Sequence, residues 1–143
     1  MEVFISDKIS VLHRISTGNL DKRLSGLGIN RSQASFIISV CEKKGQPQES
    51  IARCFHIDKG AAARTIKQLE DKGYIKRICC RDDNRRRCVF PTEKALSVYD
   101  ELKKCMAEWD NTVTIGFTDL EKIILENLLD RLAENALSAK NNK

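Results

Sequence analysis

Three consecutive arginines, Arg85-Arg86-Arg87, directly follow the turn formers Asp82-Asp83-Asn84, and apolar residues stand on both sides of that tip. Ile75 and Ile78 come before it and Val89 and Phe90 after it, a pattern that predicts a β-hairpin with a charged end. Such a finger has to project from a small domain, so the neighbouring segments must supply one. Immediately upstream, Pro47 suits the first turn of a short helix carrying Ile51, Ala52 and Phe55. After His56-Ile57, Asp58 can cap a further helix with Ala62, Ile66 and Leu69 on one face, stopped at Lys72-Gly73. A short helix, a tight turn and a second amphipathic helix form a helix-turn-helix pattern.

The flanks read as helices too. Ile5, Ile9, Leu12, Ile15, Leu20 and Leu24 recur at mostly three-to-four spacing across residues 3–24, and Ser25-Gly26-Leu27-Gly28 ends that pattern. Asn30, with Gln33 three residues on, is a capping pair for a helix carrying Phe36, Ile37, Val40 and Cys41 and stopped at Gly45. Thr92 caps a long helix through Ala95, Leu96, Tyr99, Leu102, Met106 and Trp109. A second capping box, Thr118 to Glu121, opens a last helix whose apolar face is unusually broad: Leu120, Ile123, Ile124, Leu128, Leu129, Leu132 and Ala136. The expected fold is mainly α with a small β-hairpin wing, divided into an N-terminal helix (1–29), a winged helix-turn-helix (30–92) and C-terminal helices (93–143).

Size and charge agree with one domain. At 143 residues the chain can build one real core but not two ordinary domains, and 41% hydrophobic with 31% charged residues argues against general disorder. Net charge is +5. Between Arg64 and Cys88 nine bases face four acids, so that one stretch carries an excess equal to the whole chain's. No apolar run approaches the roughly 20 residues of a membrane span, and a soluble, cytoplasmic protein is expected.

A helix-turn-helix presents the start of its second helix to the major groove of duplex DNA. Opposite the Ala62, Ile66, Leu69 face lie Lys59, Gly60, Ala61, Ala63, Arg64, Lys67 and Gln68. Arg64 is the expected base reader, because a guanidinium bonds both acceptors of guanine. The hairpin then acts as a wing: Arg85 enters the narrow minor groove, while Arg86 and Arg87 supply field or phosphate contacts. Asp83 repels phosphate, so its place is to shape the turn or to steady an arginine.

The segments Pro47-Gln-Glu-Ser-Ile-Ala, Asp58-Lys-Gly-Ala-Ala-Ala-Arg64, Leu69-Glu-Asp-Lys-Gly73-Tyr-Ile, Asp83-Asn-Arg85 and Thr92-Glu-Lys together resemble MarR-type transcriptional regulators, in order and spacing and over nearly the whole chain. The resemblance implies a homodimer, built by the first helix and the last two, that binds a pseudo-palindromic operator and usually represses transcription. It also implies a small anionic or phenolic effector held between the dimer helices and the winged domain, for which His13, Arg14 and Arg23 are candidate lining residues. Where such proteins often have glycine in the turn, this chain has His56. It carries Gly60, Ala61 and Ala63 in place of Ser or Thr, and Pro91 in place of leucine.

Six cysteines without an export signal point to reduced thiols. With the turn centred between Asp83 and Asn84, Cys79 and Cys88 face each other across the strands, within reach of a disulfide. Cys80 and Cys88 also adjoin Arg81 and Arg87, whose charge favours a thiolate. Cys79, Cys80 and Cys88 are therefore candidate redox residues, whereas Cys41, Cys54 and Cys105 read as core fillers. No metal-ligand spacing is present, no cofactor is implied, and no nucleophile elbow, phosphate loop or carboxylate pair suggests an enzyme. The expectation is a DNA-binding transcriptional regulator, with a protein-interaction module on the same fold as the alternative.

Overall fold

The computed structural model describes residues 2–142. Its elements run α1 (Ile5–Leu24), a 3-10 turn (Ser25–Leu27), α2 (Arg31–Glu42), β1 (Gln46–Pro47), α3 (Gln48–Cys54), α4 (Lys59–Asp71), β2 (Ile75–Cys79), β3 (Arg87–Pro91), α5 (Glu93–Val113) and α6 (Asp119–Asn141). Four helix starts are set by the side chains that the sequence offers for them. Asn30 Oδ1 accepts from Gln33 N–H while Gln33 Oε1 accepts from Asn30 N–H. Asp58 Oδ1 accepts from Ala61 N–H at 2.7 Å, Thr92 Oγ1 from Ala95 N–H, and Thr118 and Glu121 close the last box. Each satisfies amides that would otherwise lack partners in the first helical turn.

The sheet has three antiparallel strands in the order β1-β3-β2, so β3 is central. The outer strand β1 is a departure from the sequence reading. Pro47 does not enter the helix but pairs with Cys88, and Gln46 with Val89, before α3 starts at Gln48. Proline is tolerated there because an edge strand has no partner for the missing N–H. Gly45 at φ 79° turns the chain into β1, and a Cβ added to it would stand 3.0 Å from the Phe90 ring, so both backbone and space require glycine.

Contacts divide the chain into two compact units, one ending at Trp109 and the other beginning at Asp110. The first holds the core, in which Leu20 and Leu24 of α1, Phe36, Ile37 and Val40 of α2, Ile51 of α3, Ile66 and Leu69 of α4, Ile75 and Val89 of the sheet and Leu102 of α5 are buried. Phe36 and Phe55 stack with ring centroids 4.7 Å apart. Buried Tyr74 donates to the Leu27 carbonyl, and Trp109 donates to Ser16 Oγ, tying α5 to α1. Cys41 and Cys105 are in the core and burial pushes the Cys41 thiol pKa up, which keeps it protonated and inert; Cys54, by contrast, is exposed at the end of α3 and fills nothing.

Two apolar stripes stay uncovered within the chain. On α1, Ile5 is 64% exposed, with Ile9, Leu12 and Ile15 also open; the periodicity over residues 3–24 therefore buries only its Leu20 and Leu24 end. No α6 residue is buried, and Leu120, Ile123, Ile124, Leu128, Leu129 and Leu132 are all exposed. Among the described residues, no helix is long and apolar enough to cross a membrane.

The turn between α3 and α4 carries His56 at φ 52°, the one non-glycine residue with positive φ among the described residues. A side chain in this left-handed region costs roughly 1–2 kcal/mol, more for a β-branched one. His56→Gly should therefore be neutral or stabilising and His56→Val destabilising by about 1–2 kcal/mol, as read by urea unfolding at fixed protein concentration. A valine variant as stable as the parent would contradict the strained turn.

Candidate nucleic-acid interface

Helix α4 buries Ala62, Ile66 and Leu69 and leaves Lys59, Gly60, Arg64, Lys67 and Gln68 exposed, with Ala61 and Ala63 half-buried between them. Gly60 leaves room beside the Arg64 guanidinium: a Cβ there would stand 3.4 Å from Arg64 Nη1. The bases of this region fall into two groups. Lys67 binds Asp71 at 2.6 Å, and Arg77 binds Glu70 through both Nε and Nη2, at 3.2 and 2.9 Å. Lys72 donates to the Gly28 carbonyl and to Gln33, and Gln68 accepts from Gln33 Nε2, so both anchor α4 to α2. Among the described residues, Lys59, Arg64, Lys76, Arg81 and Arg85 have no such partner. Charge is available at the start of α4 and along the wing, and internally neutralised at the end of α4.

The Arg77 hydrogen bond holds the Glu70 carboxyl below the usual carboxylate range. Its folded value is depressed, so the pair's contribution to stability is complete above that range and is lost as pH falls through the lowered value.

The wing is shaped as its sequence suggests, with one change of register. Ile78 pairs with Cys88, Cys79 with Arg87, and Cys80 N–H donates to the Arg86 carbonyl. The tip is thus centred on Asp83, not between Asp83 and Asn84, and an odd loop moves every cross-strand partner by one residue. Asp83 Oδ1 accepts from the Arg85 N–H at 2.9 Å and the Asp83 carbonyl from the Arg86 N–H. Of the two roles open to Asp83, its carboxylate performs the turn-shaping one. Arg86 reaches Glu49 of α3 at 3.5 Å and Asp82 at 3.6 Å, and Arg87 donates to Cys79 Sγ. Arg85 is left free.

Wing and helices close around a cleft of about 190 Å³ lined by Gln48, Glu49 and Ala52 of α3, Lys59 of α4, and Arg85, Arg86 and Arg87. It gathers four cations against one carboxylate, and the Gln48 Oε1 in its wall is buried without a hydrogen-bond partner. Gln48 and Glu49 were not evident from sequence, because only the fold brings α3 against the wing.

The reduced thiols expected throughout are corrected at one place, and the slipped register decides which cysteines are involved. The disulfide joins Cys80 to Cys88, with Cα atoms 5.2 Å apart, and Cys79 is a free, exposed thiol. Alternation along paired strands puts Ile78, Cys80, Arg86 and Cys88 on one face and Cys79 with Arg87 on the other, so Cys80 and Cys88 are diagonal neighbours.

The other candidates lie elsewhere. His13 and Arg14 are exposed on α1, and exposed Arg23, near its end, bonds Glu108 of α5. No cluster of three or more His, Cys, Asp or Glu residues suited to a metal occurs among the described residues.

Residues 29–87 match the family model described as MarR family. The chain is 32% identical over 109 residues to the uncharacterised HTH-type transcriptional regulator YybA of Bacillus subtilis, a match covering 76% of this chain and 73% of that protein. Among solved structures it superposes on a MarR transcriptional regulator from Methanosarcina mazei with a TM-score of 0.83 and 33% identity, over 95% of this chain and 98% of that one. A Listeria monocytogenes protein solved as a MarR family regulator complexed with 26mer DNA gives a TM-score of 0.85 at 27% identity, over 94% and 89% of the two chains.

Proposed function

Because the chain belongs to the MarR family of transcriptional regulators, we propose that it binds duplex DNA sequence-specifically as a homodimer, in the cytoplasm, and acts as a repressor whose affinity is changed by a small-molecule or oxidant signal. One observation carries the reading: Lys59 and Arg64 at the start of α4 and the Arg85 side chain at the wing tip have no partner among the described residues, and Lys59 and Arg85 line the same cleft. Arg64 reads a base edge in the major groove, with Gly60, Ala61 and Ala63 allowing close backbone approach, and Arg85 enters the adjacent minor groove. Lys67, Gln68, Arg86 and Arg87 border this surface and take phosphate contacts only by giving up the partners they hold. The DNA seen with the Listeria structure supports the same use of this fold.

The uncovered stripes on α1 and α6 support dimerisation, since apolar area of that extent calls for a partner. Two-fold symmetry then presents two α4 helices to half-sites about one helical turn, roughly 34 Å, apart. Footprinting on the gene's own upstream region should show two protected half-sites at that spacing. Protection of a single half-site, or none, would count against the dimeric reading. A signal near His13, Arg14 and Arg23 acts by favouring a dimer whose α4 helices no longer match that spacing.

The acids on α4 restrain this surface. Glu70→Gln removes the carboxylate that neutralises Arg77, and should raise affinity for any duplex about two- to fivefold at low salt, an effect that fades as salt screens it. Unchanged or weaker binding in an anisotropy titration would show that Arg77 faces away from the DNA.

A further inference from the structure

We propose that Cys80 and Cys88 are a reversible dithiol–disulfide site whose oxidant is a low-molecular-weight disulfide, and that closing it fixes the arginine loop for DNA contact. This rests on the reading of the wing as a DNA-contacting finger.

The bond spans a part of the wing that the fold does not need. The strand ladder runs from Ile75–Pro91 to Cys79–Arg87 and continues through the Cys80–Arg86 hydrogen bond, while the buried face of the sheet rests on Ile75, Val89 and Pro91. Opening the disulfide leaves all of this in place and loosens only the tip beyond the Cys80–Arg86 hydrogen bond, residues 81–85. That tip holds Arg81 and Arg85, whose guanidinium groups have no partner among the described residues, so the bond controls how firmly these two cations are presented. Its two ends differ in access: Cys80 is 4% exposed, whereas Cys88 is half-buried and open to a small reagent. Cys79 is on the opposite face, with Arg87 donating to its sulfur, and takes no part.

The chemistry balances with one molecule of the disulfide R–S–S–R. The Cys88 thiolate attacks one sulfur, forms the mixed disulfide and expels R–S⁻. The Cys80 thiolate then attacks Cys88 Sγ and expels the second R–S⁻. The two protons given up by the cysteines end on two R–SH, so two protein thiols are oxidised and one R–S–S–R is reduced. Excess R–SH reverses both steps, attacking first at Cys88.

In the reduced chain, DNA has to order the loop at the moment of binding. In the oxidised chain that ordering is already complete, so the disulfide form should bind roughly three- to tenfold more tightly. The full chain is equilibrated with oxidised glutathione or with dithiothreitol, its thiols are counted by alkylation and intact mass, and its affinity for its own upstream duplex is measured by anisotropy. Expected are two fewer alkylated cysteines and the tighter binding in the oxidised sample. Cys88→Ser and Cys80→Ser should both hold the reduced affinity in either buffer, while Cys79→Ser keeps the full response. Six alkylated cysteines in both buffers, equal affinities in the two states, or a response lost in Cys79→Ser would each overturn the proposal. Absence of duplex binding in both buffers would instead sink the DNA reading and the switch's output with it, and the alkylation count would still report whether the bond forms.

Discussion

Arg85→Ala is expected to weaken binding to every duplex about ten- to thirtyfold and to lower the slope of log affinity against log salt by about one. The size follows from removing one desolvated, charge-assisted contact worth about 1.5–2 kcal/mol, at roughly 1.4 kcal/mol per decade. The Arg85 guanidinium, like that of Arg81, has no intramolecular partner among the described residues, so the parent breaks no ion pair to bind and the variant loses the whole contact. Arg64→Ala should differ in kind. A bidentate guanine contact discriminates by about 1–3 kcal/mol, so its loss lowers affinity for the operator but little for other DNA, and preference relaxes at one base pair per half-site. The two variants are separated by titrating each against the operator and against a duplex substituted at that position. Equal losses on both duplexes for Arg64→Ala would make it a phosphate contact, and parental affinity for Arg85→Ala would remove the wing from the interface.

The largest effect on assembly is expected at α6. Leu120, Ile124, Leu128 and Leu132 recur every fourth residue and all are exposed, so they form one continuous stripe. Leu128→Asp removes about 2 kcal/mol of apolar burial from a dimer and places an unpaired carboxylate in its centre, costing at least a further 2 kcal/mol. Each dimer carries the change twice, so the dimer dissociation constant should rise at least about a thousandfold, giving a monomer at micromolar concentration by sedimentation. Operator affinity should collapse with it, because two half-sites held by one dimer gain from effective concentration that a monomer lacks. No residue of α6 is buried within its own chain, so the core that includes Leu24, Phe36 and Leu102 should survive, as helical circular dichroism would report. A Leu128→Asp chain that remains dimeric and binds the operator normally would place the dimer contact elsewhere.

Much of this was legible in the sequence, and the reasons are local. Asn30 with Gln33, Asp58, Thr92 and Thr118 with Glu121 mark helix starts through chemistry confined to three or four residues, and all four caps form. Gly45 and Gly73 mark helix ends because both hold positive φ. The glycine-like turn at His56 follows the same logic from the other side, with a histidine in the conformation that glycine prefers. The features that escaped depend on residues far apart in the chain. A two-residue strand such as Gln46–Pro47 has no alternation to read, and it exists because β3 offers an edge. Hairpin register hinges on whether the loop is odd or even, which Asp82-Asp83-Asn84 leaves open, and one step of slip puts Cys80 rather than Cys79 within reach of Cys88. Cys54 shares the composition of a core residue but ends α3 on the outside. The cleft is similar, since Glu49 meets Arg86 only once α3 and the wing are folded together.

The wing and α4 together define an electrostatic surface, and its salt dependence is the most direct test of what it is for. Affinity of the full chain for its own upstream duplex, and for an unrelated duplex of the same length, should be measured by anisotropy across a salt series. The expected result is a linear fall of log affinity with log salt on both, with a slope near −0.9 for each phosphate neutralised, and a constant margin in favour of the upstream duplex. Absence of binding at low salt, or an affinity indifferent to salt, would contradict a DNA-binding role and leave the protein-interaction module as the reading of this fold.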